Sequence, residues 1–237
     1  MKIYIVASPI GNLEDITFRA LSILKTVTVI LCEDTRTTSK LLRHYGITTP
    51  TLSYHQHSKG AVIEKIIHMI QSGSTLALMT DAGTPGVSDP GNELIATLIN
   101  HCGPSLEIIP LPGASAVSAL ASVAGLPMNA FLFLGFPPHK KKRKSFFAKI
   151  AQSEEPVVLY ESVHRIIKTL QELEEAVPNS YIVVGRELTK IYETIYRGSA
   201  NEIRKRLLQE GPRGEFTLIV ASKRPGCAAH RHCTPLP

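Results

Sequence analysis

TLALMTDAGTPGVSDPG, residues 75–91, decides how the chain is organised. Residues 75–80 form an apolar run of strand length. Residues 81–91 crowd Gly and Pro into a tight loop, and residues 93–101 read as a helix. Strand, Gly-rich loop and helix make half of a βαβ unit. The same order recurs upstream. Residues 2–7 (KIYIVA) are a strand running into Ser8-Pro9-Ile10-Gly11-Asn12. Asp15 or Thr17 can cap the next helix, whose apolar positions are Phe18, Leu21 and Leu24. Residues 27–31 (VTVIL) are a second strand, closed by Cys32-Glu33-Asp34, and Thr35 can cap a helix ending near Gly46. A short strand is expected over 51–55. An amphipathic helix over 61–71 sets Ile63, Ile66, Ile67 and Ile70 on one face. Downstream, the strand 106–110 runs into LPGASA (111–116) and a helix of small residues reaching 124.

Ala124-Gly125-Leu126-Pro127 interrupts this order, and a second set follows. Strands are expected at 131–135, 157–160, 181–184, 194–196 and 215–222, with helices ending at 150 and spanning 164–176 and 201–210. The reading is α/β: two α/β domains, the first a mostly parallel sheet with helices on both faces. Their boundaries are 1–115 and 116–223, and residues 224–237, with three Pro and no periodicity, are a flexible tail.

Composition excludes several classes. Of 237 residues 43% are hydrophobic and 19% charged, which suits a packed core and not a disordered chain or a coiled coil. No apolar run approaches the roughly 20 residues of a membrane span. The N-terminal stretch reads as a poor signal peptide, and four Cys are too few for a disulfide scaffold, so a cytoplasmic location with reduced thiols is expected. The net charge is +6, and Lys140, Lys141, Lys142, Arg143 and Lys144 supply five of those charges. The basicity is therefore a local patch.

Ligands of open α/β sheets bind at the carboxyl ends of the strands. Four first-half strands end in SPIGN, in Glu33-Asp34-Thr35-Arg36, in DAGTPG and in LPGASA. The main-chain groups of such loops can read a nucleoside or an amino-acid zwitterion, and Asp81 suits an amine or a ribose hydroxyl. No GxxxxGK[ST] is present and no GxGxxG follows the first strand, which disfavours a P-loop triphosphatase and a dinucleotide dehydrogenase.

SPIGNLEDITFRAL, EDTR, DAGTPGVSDPG, LPGASA, LGFPP, YESVHR, RELTK and GEFTLIV, in this order over residues 3–222, resemble the motif series of the tetrapyrrole (corrin/porphyrin) methylase family, in its ribosomal-RNA subgroup. The resemblance implies a homodimeric methyltransferase with S-adenosylmethionine in a cleft between its two domains. It implies as substrate the ribose 2′-hydroxyl of a cytidine in 16S ribosomal RNA of the small subunit. Matched residue by residue, it implies cofactor contacts at Pro9, Asp81, Gly83, Thr84, Pro85, Val87, Ser115 and Ala116. Tyr160, Glu161 and Leu188 fall where the second domain would close over the cofactor. One departure is Thr194 after Glu193, where the subgroup carries a second acidic residue.

A ribose hydroxyl is a poor nucleophile, so a general base would help methyl transfer. Candidates near strand ends are Glu33, Asp34, Asp81, Glu187 and Lys190; ion pairing or helix capping is the competing role for the Glu33–Arg36 and Arg186–Glu187 stretches. Lys140 to Lys144 offer phosphate contacts, as do Arg36, Arg43 and His55-Gln56-His57. Cys227, His230, His232 and Cys233 fit no standard zinc spacing, and no metal is expected. Two rival functions remain: a small-molecule tetrapyrrole methylase, and a non-catalytic RNA-binding assembly factor on a methylase scaffold.

Overall fold

The computed structural model describes residues 1–55, 58 and 60–222. Gln56, His57 and the tail, with Cys227, His230, His232 and Cys233, lie outside the described residues. The chain divides into two compact units, the first ending at Ser115 and the second opening at Ala116.

The first unit runs β1 (Lys2–Val6), α1 (Phe18–Thr26), β2 (Val29–Cys32), α2 (Thr35–His44), β3 (Thr51–Ser53), α3 (Gly60–Gln71), β4 (Thr75–Met79), α4 (Asn92–Cys102) and β5 (Glu107–Leu111). Its sheet has the order β3-β2-β4-β1-β5, and every pairing is parallel. Period-two alternation sends successive strand residues to opposite faces. Ala77 and Met79 join Leu24, Leu41 and Leu42 of α1 and α2, while Leu76 and Leu78 join Ile66, Ile70, Leu94 and Leu98 of α3 and α4. Each helix contributes one apolar stripe, so the sheet is covered on both faces. Cys32 and Cys102 are buried packing groups. Thr17, not Asp15, caps α1 by accepting from Ala20 N–H at 3.1 Å. Asp34, not Thr35, caps α2.

The second unit runs α5 (Ala116–Val123), β6 (Leu132–Gly135), α6 (Arg143–Ala151), β7 (Val157–Ser162), α7 (Ile166–Ala176), β8 (Tyr181–Arg186), β9 (Thr194–Gly198), α8 (Ala200–Glu210) and β10 (Glu215–Ala221). Its sheet is mixed. The order is β6-β7-β10-β8-β9, and only β6–β7 pair in parallel; β10 lies antiparallel between β7 and β8, and β8–β9 form an antiparallel hairpin. Phe147, Ile150, Leu170, Leu173, Ile203 and Leu207 pack α6, α7 and α8 on one face. Ser199 starts α8 with a reciprocal capping box to Glu202. Among the described residues no helix is long and apolar enough to cross a membrane.

Candidate functional site

The carboxyl edge of the first sheet gathers the loops that the sequence singles out. β1 and β4 are neighbours, and their loops are tied reciprocally: Ser8 N–H donates to Gly83 O at 2.8 Å and Gly83 N–H to Ser8 O at 3.1 Å. The buried Ser8 hydroxyl donates to Thr80 O at 2.8 Å and secures the same junction. On the other side of β1, Ala7 N–H donates to Leu111 O at 3.3 Å. A Cβ on Gly113 would come within 2.9 Å of Ala7 Cβ, so the LPGASA loop can lie against β1 only with Gly there. Across β4, Asp34 N–H donates to Asp81 Oδ1 at 3.2 Å. All four loops thus share one edge, where parallel sheets bind ligands.

Pro9, Gly83 and Pro85 are buried in this edge, Thr84 and Ser115 are half-buried, and Asp81 and Val87 are exposed. Gly83 takes a φ of +79°, and a Cβ on it would meet only Ile10 Cγ2, at 3.7 Å. A small residue in left-handed conformation therefore faces otherwise open space, the arrangement a main-chain ligand cradle requires.

The acidic side chains of this edge separate into two kinds. Asp34 is consumed structurally. Its Oδ1 accepts from Arg36 N–H at 2.8 Å, and both oxygens accept from the Arg36 guanidinium at 2.7–3.2 Å. The guanidinium holds the Asp34 pKa down at about 2, which makes it a weak base. Glu33 goes the other way: burial and the Asp81 charge raise its pKa. Asp89, which sequence reasoning passed over, is pushed up to about 6 by burial and then by the Glu33 charge, despite a bond from Thr80 Oγ1 at 3.5 Å. Its signal in the sequence is a second Asp in the loop that holds Asp81.

In the second unit the loop between β8 and β9 holds Glu187, Leu188 and Lys190. Lys190 Nζ donates to Glu187 Oε1 and to Glu215 Oε2, each at 2.9 Å, and Glu187 Oε1 also accepts from Glu215 N–H at 2.9 Å. Burial opposes charge on both groups, but the pairing outweighs it, lowering the Glu187 pKa and raising that of Lys190. Of the two roles open to these residues, base or ion-pair partner, the geometry shows the ion pair. Gly214 makes it possible, since a Cβ there would lie 2.3 Å from the Glu187 carboxyl. Leu188 is buried, packed where a Cβ on Gly185 would touch it at 2.8 Å. Tyr160 is half-buried, with the ring of Phe133 at 5.1 Å and that of Phe136 at 5.5 Å. Ala116, half-buried, opens α5.

Glu161 is only 1% exposed, and its carboxylate is consumed by Thr169 Oγ1 (2.6 Å), Ser162 N–H (2.8 Å) and Arg165 (3.0 Å). Arg143 is the other correction. It is 6% exposed, paired with Glu172, and its NH2 group donates to Thr169 Oγ1 at 2.8 Å and NH1 to Pro138 O at 2.9 Å. Its charge is turned inward against Glu172 and away from the surface. Lys140, Lys141, Lys142 and Lys144 of the same run are exposed, as is Arg36.

The family and the relatives that this chain matches are those of methyltransferases. The model for Tetrapyrrole (Corrin/Porphyrin) Methylases matches residues 2–204, and the chain belongs to that family. S-adenosylmethionine is the methyl donor in this family. Relatives named Ribosomal RNA small subunit methyltransferase I include one from Synechocystis sp., 42% identical over 226 residues, covering 94% of this chain and 80% of the relative. Another, from Hydrogenobaculum sp., is 42% identical and covers 94% of this chain and 96% of the relative. Among solved structures, diphthine synthase superposes with a TM-score of 0.71 at 13% identity, covering 93% of this chain and 90% of that one. A cobalamin biosynthetic enzyme, cobalt precorrin-4 methyltransferase, superposes at 0.69 and 19% identity, covering 93% of this chain and 94% of that one. At such identities these two speak for the fold alone.

Proposed function

We propose that the chain is an S-adenosylmethionine-dependent methyltransferase that modifies the ribose 2′-hydroxyl of a cytidine in 16S ribosomal RNA, as a homodimer in the cytoplasm. The observation that carries the reading is the shared edge of four loops, with Gly83 facing open space, in a chain 42% identical to a ribosomal RNA small subunit methyltransferase I. S-adenosylmethionine, when bound, supplies a methyl group on an electron-poor sulfonium. Asp81, Gly83, Thr84, Pro85, Val87, Ser115 and Ala116, with Pro9 behind them, hold it through main-chain groups.

The chain's remaining work is alignment and proton handling. Holding the ribose oxygen in line with the methyl carbon supplies much of the acceleration. As that oxygen attacks, its proton passes to a carboxylate. Glu33, with its raised pKa, is a better acceptor than Asp34, Glu187 or Lys190, whose charges are spent on ion pairs. Lys140, Lys141, Lys142 and Lys144 contact the RNA backbone. The test is transfer of labelled methyl groups from S-adenosylmethionine to small ribosomal subunits, followed by nucleoside mass spectrometry. 2′-O-methylcytidine is expected. Label on a base, or on a tetrapyrrole and not on RNA, would overturn the assignment.

A further inference from the structure

Beginning at Arg36 of the strand-end loop after β2 and running away from it along α2, the first unit carries a groove of about 660 Å³ between α2 and residues 47–51. Arg36, Lys40 and Arg43 line it, spaced four and three residues apart on one face of α2. Thr48 and Thr51, from the segment facing α2, and Leu42 line it too. Among the described residues no acidic side chain lines the groove, and α2 itself contains none. Lys40 makes no ion pair among the described residues, and Arg43 only reaches the Ser39 carbonyl of its own helix, at 3.3 Å. Arg36 is paired with Asp34, yet its side chain remains 88% exposed. The helix dipole accounts for Arg43 in the last turn. It does not account for Arg36, which sits in the first turn, where a cation is disfavoured.

We infer that this groove is a second docking site for the RNA substrate, taking the phosphodiester backbone of a strand away from the methylated nucleotide. The inference rests on the RNA reading above. Residues 36 to 43 span about 10 Å of helix, a length over which a nucleic-acid strand presents about three phosphates. Three cations match three phosphates, and hydroxyls on the facing segment can donate to phosphate oxygens or ribose. An open groove carrying three cations suits an extended polyanion better than a small ligand, whose sites are enclosed. The role of the groove is register: it fixes which nucleotide reaches the strand-end loops.

The test compares the full wild-type chain with Lys40→Ala/Arg43→Ala, using a 16S ribosomal RNA fragment and fluorescence anisotropy across a salt series. Two lost contacts should make the slope of log K against log salt shallower by about 1.5. Affinity for S-adenosylmethionine and the melting temperature should not change. Lys40→Gln/Arg43→Gln, which keeps polar stems in the groove, should reproduce the slope if the Ala pair lowers stability. Steep wild-type binding with an unchanged slope in both variants would overturn the groove alone. A wild-type chain that neither binds nor methylates RNA would overturn the RNA reading, and the groove with it. Loss of binding to assembled subunits but not to naked RNA would assign the groove to a ribosomal protein instead.

Discussion

Replacing Thr169 with Val should destabilise the protein far more than the change of one atom suggests. Thr169 is fully buried at the centre of a charged network. Its hydroxyl donates to Glu161 at 2.6 Å and accepts from Arg143 at 2.8 Å. Val keeps the shape, so no cavity opens, but both bonds vanish together. Hydrogen bonds to buried charged groups are worth about 1.5–3 kcal/mol each. The two are not independent, because Arg143 keeps Glu172 and Pro138 O, and Glu161 keeps Arg165 and Ser162 N–H. A loss of about 2–3 kcal/mol is therefore expected, a large fraction of the 5–15 kcal/mol typical of a folded domain. For a chain of this size it corresponds to a fall in Tm of roughly 5–10 °C. Urea titration followed by circular dichroism reads it as a lower midpoint with unchanged m. Thr169→Ser, which restores the hydroxyl, should recover most of the loss. A Val variant within about 0.5 kcal/mol of wild type would refute the network's energetic role. The same network holds the loop ahead of the basic run, since Arg165 donates to Pro137 O at 2.8 Å and Arg143 to Pro138 O at 2.9 Å. RNA affinity should therefore fall together with stability.

Other outcomes are expected of single sites. Lys140→Ala/Lys141→Ala/Lys142→Ala should flatten the salt dependence of RNA binding by about 2–3 and leave Tm unchanged, whereas Arg143→Ala should lower Tm and leave the slope alone; equal slopes in the triple variant and wild type would place the run off the RNA path. Gly83→Ala should weaken S-adenosylmethionine at least about tenfold by calorimetry while costing about 1–2 kcal/mol from the left-handed backbone. Gly83→Val adds β-branched strain at φ +79° and so cannot separate ligand loss from folding loss. The Asp89 carboxyl, pushed up to about 6 from the usual 3.8, binds its proton more tightly in the folded state. Stability should accordingly fall as pH rises from about 4 to about 6, by about 1–2 kcal/mol after allowance for solvent screening. Asp89→Asn should match wild type near pH 4 and exceed it at pH 7, and equal melting curves at pH 7 would count against the burial argument.

The sequence made some levels of this structure legible for definite reasons. Strands β1, β2 and β4 are apolar on both faces, and only a parallel sheet covered by helices accommodates such runs. The second sheet was harder because its elements alternate in the same manner. The crossover β7–α7–β8 does leave β7 and β8 running the same way, since β10 is antiparallel to both. Periodicity could not reveal that β10 inserts between them, a pairing set by contacts distant in sequence. Nor did the connection between β8 and β9 carry a tight-turn signature, because Glu187 and Thr189 take positive φ inside a longer loop.

Reading chemistry from residue type failed where charged groups had structural alternatives. Asp34 and Thr35 were both acceptable caps, and once Asp34 caps α2 and clasps Arg36 its carboxylate has little proton affinity left. Glu187 and Lys190 stand three apart on a loop that returns beside Glu215, so they neutralise one another before any substrate arrives. Arg143 was legible after all. It lies four residues before Phe147 and seven before Ile150, the buried positions of α6. Helical periodicity places it on the inner face, while Lys140, Lys141 and Lys142 precede the helix and Lys144 is exposed on it. A basic run is thus divided by the helix it enters. Four of its cations remain for a polyanion, and the fifth anchors the loop that presents them, which is why removing it should register as stability and removing the others as salt dependence.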